Sequence, residues 1–206
     1  MGTAKVEMSS SLPEYALKTF LGKKVRDPYG RSLGAVIGLS LNDYGEIEAV
    51  NIDKGNNEIQ RIPMQQLTLS SDGVIVIPKW KVEVESILKQ IESAQKRIVS
   101  LKLLMQRETS KNLFDELLVK QERELSDLKE KRNVVISILQ ARRKELDMQI
   151  DELSKILVEI KAGKWSKEFM NKAYEITSKL IEPNLEFASR EKRDLTGYLA
   201  NLAKAL

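Results

Sequence analysis

The 206-residue chain contains no cysteine and no histidine. Without Cys there is no disulfide framework and no thiolate metal site. Without His the commonest general base and the commonest transition-metal ligand are gone, so Ser-His-Asp chemistry and most zinc chemistry are excluded. Carboxylates, Lys and Tyr could still do acid–base work, but no paired carboxylates stand apart in the pattern. No G-x-x-x-x-G-K-[ST] run is present to cradle a nucleotide phosphate. The sequence therefore predicts a protein that is not an enzyme and holds no cofactor. Aromatic residues are also scarce, at 5 % against 31 % charged residues, so much of the chain reads as long helix. No apolar run reaches the roughly 18 residues of a membrane span. Met1–Val6 lacks the apolar stretch of a signal peptide, and Val6 stands where a myristoylation motif needs Ser or Thr. The expectation is a soluble or at most peripheral protein of a reducing compartment.

Glycine and proline are unevenly spread. Eight of ten Gly and four of five Pro precede residue 79, and none of either lies between Lys79 and Ala162. Charge follows the same division: 8 basic and 9 acidic side chains over 1–78, 18 and 15 over 79–163, and 8 and 6 over 164–206. This predicts an extension over 1–19, a β domain over 20–78, a long coiled-coil helix over 79–163 and helices over 164–206.

Short β-rich runs alternate with turn signals in the first part. Asp27-Pro28-Tyr29-Gly30, Asn42-Asp43-Tyr44-Gly45, Lys54-Gly55-Asn56-Asn57 and Ser71-Asp72-Gly73 are turns. Ala35, Ile37, Leu39 and Leu41 share one strand face by period two. About five or six strands in so short a stretch predict a small barrel, because closure removes free edges. Gly30, Gly34, Gly45 and Gly73 are assigned to its turns.

In the middle part Ile87, Ile91, Ala94, Ile98, Leu101 and Met105 alternate spacings of four and three, the seam of a coiled coil. A second seam runs Leu118, Leu125, Leu128, Val135, Leu139, Leu146, Leu153, Ile156 and Ile160, with Gln121, Arg132, Arg142 and Gln149 in its remaining slots. The two are out of phase by one residue, about 100° around the helix. The slip falls at Glu108-Thr109-Ser110-Lys111-Asn112, where Asn112 and Asp115 resemble an N-cap pair. One reading is a single helix about 126 Å long with a local irregularity. The other is an antiparallel hairpin with arms of about 29 and 49 residues. The missing Gly and Pro favour the single helix, pairing in a homodimer. Arg132 and Arg142 cannot enter a dry seam without partners.

Further on, Gly163 reads as a helix terminus and Ser166 as the next N-cap. Pro183 reads as a stop before a last helix carrying Leu185, Ala188, Leu195, Leu199, Leu202 and Leu206. That apolar pattern is still in phase at Leu206, which implies a longer natural chain. Trp80 is expected to dock the barrel on the helix start, and Trp165 with Phe169 to pack a helical bundle. The fold class is thus α+β: a barrel, a long coiled coil and two short helices.

Leu21-Gly22-Lys23-Lys24-Val25-Arg26-Asp27, Gly30, Leu33-Gly34, Ile62-Pro63 and Asp72–Pro78 resemble a PRC-barrel domain. That resemblance implies a fold for 20–78 but no single function, since the barrel is an adaptor in unrelated contexts. Barrel, Lys/Glu-rich coil and terminal helices together resemble the archaeal cell-division protein A family (CdvA). The resemblance implies a non-enzymatic filament former at mid-cell in the cytoplasm, near membrane or nucleoid. It implies DNA as a partner, indirect membrane association, and recruitment of ESCRT-III-like proteins through a C-terminal peptide that does not follow Leu206 here. The competing reading is an adaptor binding ribosomal or RNA-processing particles through the barrel. For DNA the candidate residues are Lys129, Lys131, Arg132, Arg142, Arg143 and Lys144, besides Lys23, Lys24 and Arg26. Glu124, Asp127, Glu130, Glu145 and Asp147 interleave with the helical group and support a merely solvated face.

Overall fold

The computed structural model describes residues 21–55, 57–70, 73–106, 111–166 and 171–205. The chain divides into two compact units, Met1–Lys79 and Trp80–Leu206. The slip residues Glu108, Thr109 and Ser110, the turn residues Asn56, Ser71 and Asp72, the 1–19 extension, Phe169 and Leu206 lie outside the described residues.

The first unit holds strands β1 (Lys24–Arg26), β2 (Ser32–Leu41), β3 (Ile47–Asp53), β4 (Ile59–Pro63), β5 (Leu67–Ser70) and β6 (Gly73–Val76). They form one sheet in the order β4-β3-β2-β1-β6-β5, antiparallel except where β1 runs parallel to β6. The expected barrel is corrected to an open sheet, since among the described residues no ladder joins its edge strands β4 and β5. Those edges are nevertheless tied by a single 3-10 turn, Met64–Gln66. Three residues span at most about 14 Å, whereas a flat six-stranded sheet is about 24 Å wide. The sheet must therefore curl around its core of Val25, Val36, Val50, Ile52, Ile62, Leu67, Val74 and Val76.

Turn chemistry fixes the hairpins. Asn42 Oδ1 accepts the backbone N–H groups of Tyr44 and Glu46. Asp27 Oδ1 accepts those of Tyr29, Gly30 and Arg31 at 2.8–3.0 Å, while Oδ2 pairs with the Arg31 guanidinium at 3.1 Å. Gly30 and Gly45 sit in turns, but Gly34 lies inside β2 and Gly73 opens β6. A Cβ on Gly34 would overlap the carbonyl of Asp53. The period-two face of β2 is corrected as well. The register shifts between Val36 and Gly38, so Val36 enters the core while Ile37 is exposed.

The second unit has three helices, α1 (Lys79–Met105), α2 (Lys111–Trp165) and α3 (Asn171–Lys204). One core joins them: Val84, Ile87, Ile91 and Ala94 of α1, Leu128, Val135, Leu139 and Leu146 of α2, and Ala188, Leu195 and Leu202 of α3. The single long helix is thereby corrected to a hairpin, and α3 folds back in turn to complete a three-helix bundle. The physical reason is the phase slip. A straight helix cannot turn both seams toward one partner, whereas a reversal lets each seam meet the other. Each buried aliphatic then gains about 1.5–3 kcal/mol, which outweighs the lack of a glycine or proline in the sequence between α1 and α2.

The two short C-terminal helices are corrected to one. Pro183 lies inside α3 on its exposed side. The missing N–H there leaves the Lys179 carbonyl open to water, and Asn184 Nδ2 donates to the Leu180 carbonyl at 2.8 Å. Gly163 likewise does not end α2. Ser166 closes that helix, its N–H donating to the Ala162 carbonyl and its hydroxyl to that of Gly163.

Candidate assembly surface of the helical unit

Heptad patterning brings the polar slots of the seam to the helix–helix contacts. Arg142 finds its partner in Glu191 of α3: Nε donates to Oε1 at 2.9 Å and Nη2 to Oε2 at 3.2 Å. The same guanidinium reaches Glu145 at 3.0 Å. The buried Glu191 carboxylate holds the Arg142 guanidinium above its ordinary pKa. Lys192 pairs with Asp147 one turn along. Arg132, the other seam arginine, is buried and reaches only Asn133, at 3.3 Å, leaving Nε and Nη1 without hydrogen-bond partners.

A second cluster joins α1 to α3. Lys81 Nζ lies 2.8 Å from Asp194 Oδ2, and the Tyr198 hydroxyl donates to Glu85 at 2.6 Å. Trp80 meets the Tyr198 ring edge-on at 5.6 Å between centroids, and Lys81 sits over the same ring at 5.1 Å. Trp80 thus packs on α3. Burial, then the Glu85 carboxylate, push the Tyr198 phenol above its ordinary pKa. Both contacts pair residues 113 positions apart, so α1 and α3 run parallel, and both oppose α2. Sequence reasoning missed this cluster. Only the apolar members of α3 carry a periodic signal, and Glu85, Asp194 and Tyr198 lie beside it.

The predicted seam residues of α1 and α2 divide by burial. Ile87, Ile91, Ile98, Leu128, Val135, Leu139 and Leu146 are buried. Leu101, Met105, Leu118, Leu125, Leu153 and Ile160 are half-buried, and Ile156 is exposed. Beyond Leu146 the half-buried positions include Ile150 and Leu157, as a straight 3.6-residue helix requires where no supercoil is imposed. Of the predicted DNA contacts, Arg132 is buried and Arg142, partly exposed, is held in the ion pair with Glu191. Lys129, Lys131, Arg143 and Lys144 are exposed, as are Lys23, Lys24 and Arg26.

Large apolar residues remain exposed at both ends of the bundle. At the α1–α2 end these are Val99, Leu103, Leu104, Leu113 and Leu117; at the α2–α3 end Val158, Trp165, Ile176 and Leu180. Trp165, expected inside a bundle, is 88 % exposed, while the neighbouring Lys164 covers the Tyr174 ring at 4.1 Å. Among the described residues no cluster of three or more carboxylates could hold a metal ion, and no helix is long and apolar enough to cross a membrane.

Residues 79–205 match the family model for the CdvA-like coiled-coil domain. The chain is also 24 % identical over 192 residues to Cell division protein A of Sulfolobus acidocaldarius, an alignment covering 93 % of this chain and 80 % of that protein.

Proposed function

The chain belongs to the CdvA family, and on that premise we propose that it is a non-enzymatic cell-division scaffold that polymerises into filaments at mid-cell together with DNA. The likeness to Cell division protein A carries the division role. The observation that supports polymerisation is the excess length of α2. Its 55 residues make a rod about 80 Å long that outruns both partner helices and leaves apolar side chains bare at each end. Such surface on a protein otherwise rich in charge is the mark of a subunit.

DNA would be held through phosphates, without reading sequence. The exposed Lys129, Lys131, Arg143 and Lys144 are the cations of α2 best placed for it. The protein recruits ESCRT-III-like division proteins, and it reaches the membrane through partners.

Electron microscopy of the purified protein, with and without duplex DNA and across a salt series, tests the reading. Filaments that bind DNA less at higher salt are expected. Monodisperse particles at every concentration and salt would contradict it.

A further inference from the structure

The two ends of the bundle are incomplete in complementary ways. The contacts Lys81–Asp194 and Glu85–Tyr198 both span 113 residues, so residue 204 of α3 is level with residue 91 of α1. Past that level α1 continues for about 14 residues, some 21 Å, with α2 alone beside it among the described helices. At the opposite end α3 begins about 21 residues, some 31 Å, before the level where α1 starts. Each end is a two-helix section of a helical bundle whose middle has three.

The exposed apolar residues lie on the missing helix's track. Glu85 is the α1 residue that reaches α3. Val99 is two heptads further on and Leu103 five full turns further on, so both lie on the same face; they are 57 % and 55 % exposed. Asp194 is the α3 residue that reaches α1. Leu180 is two heptads before it and Ile176 five full turns before it, 63 % and 53 % exposed. The internal α1–α3 interface thus continues, uncovered, in both directions. Lys96 and Lys102 flank Val99 on α1, paired at the surface with Glu92 at 2.6 Å and Glu122 at 3.8 Å, and Glu152 and Glu159 are a heptad apart on exposed α2 surface toward the other end.

From this geometry we propose that the occupant of each bare face is the opposite end of a second copy. The α1–α2 tip of one molecule packs on the α2–α3 end of the next, and the two half-bundles form a four-helix section. The two surfaces differ, so the contact is head-to-tail and propagates instead of closing into a dimer. The inference rests on the filament reading above and specifies its longitudinal joint.

The test uses the full chain in two variants, Val99→Glu with Leu103→Glu at the tip and Ile176→Glu with Leu180→Glu at the other end. All four sites are exposed, and unchanged helical circular dichroism confirms folding. Mass photometry and sedimentation follow assembly. Each variant alone stays monomeric where the unaltered chain polymerises. An equimolar mixture forms dimers, because one intact tip meets one intact opposite end. Variants that polymerise normally, or a mixture that yields no dimer, overturn the joint while leaving polymerisation standing. A tip variant that blocks assembly when the other does not points to tip-to-tip pairing and equally overturns it. An unaltered chain that never assembles removes the filament reading and the joint together.

Discussion

Arg142 and Glu191, 49 residues apart, meet as a two-point ion pair across α2 and α3, with Nε to Oε1 at 2.9 Å and Nη2 to Oε2 at 3.2 Å. The planar fork accepts only one rotation of α3 against α2, so the pair sets the register of the returning helix. Apolar seams at heptad spacing tolerate slippage by a whole heptad; a paired charge in a seam slot does not. Arg142→Met would take from the buried Glu191 carboxylate its two hydrogen bonds to the guanidinium. A loss of about 2 kcal/mol is expected, short of the full buried-pair penalty because Arg142 is partly exposed. Urea unfolding measures it, and adding Glu191→Leu should restore most of the loss.

Tyr198 gives the bundle an alkaline limit. Burial and Glu85 raise its folded-state pKa above the ordinary value of 10.0. The phenol therefore keeps its proton in the folded state where the unfolded chain releases it. Its stabilising contribution is complete below pH 10 and declines as pH rises through the folded-state value. The stability difference between the unaltered chain and Tyr198→Phe should shrink from pH 9 to pH 11. Urea midpoints at several pH values, with phenolate absorbance near 295 nm, follow it. A constant difference would show that the hydroxyl keeps no preferential proton.

Gly34 and Gly45 separate two reasons for glycine in the sheet unit. Both have positive φ, +130° and +77°. A Cβ at Gly34 also meets the Asp53 backbone, whereas one at Gly45 meets open space. Gly45→Ala should cost about 1 kcal/mol, the left-handed penalty alone. Gly34→Ala should cost more than about 2 kcal/mol, because β2 and β3 must part to admit it. Thermal unfolding of the two variants ranks them.

Leu139 and Ile138 are adjacent on α2 but point about 100° apart, Leu139 fully buried and Ile138 exposed. Leu139→Ala should cost about 2–5 kcal/mol through the cavity it leaves. Ile138→Ala should change stability by less than about 0.5 kcal/mol. Equal effects would mean that α2 presents a different face to its neighbours.

Much of this architecture was legible in the sequence. The turns at Asn42–Gly45 and Asp27–Gly30 identified themselves through residues whose side chains accept backbone N–H groups. The seams over 87–105 and 118–146 named the buried faces of α1 and α2. What failed were inferences from single residues. Pro183 reads as a helix stop, yet on an exposed face its missing N–H costs one hydrogen bond that water replaces. The segment 107–110 carries no glycine or proline, yet α1 packs back on α2, because the long-range burial of Ile87, Ile91 and Ala94 decides it. The bulge at Ile37 inverted a correct alternation. Arg142 was marked as needing a partner, but only the fold of α3 identifies Glu191. The bare tracks at the two ends could not be read before the offset of α1 and α3 was known, since Val99 and Leu180 are unremarkable members of heptads.

The central claim is that the heptad seams are satisfied inside one chain, so that a second copy is not needed to bury them. Spin labels at Lys89→Cys and Lys131→Cys, both exposed positions in a chain without other cysteines, test it most directly. Doubly labelled protein diluted into unlabelled protein reports the distance within one molecule. The hairpin predicts a separation below about 25 Å, with helix axes 8–10 Å apart. A continuous helix would hold the labels about 63 Å apart, and that distance would contradict the account.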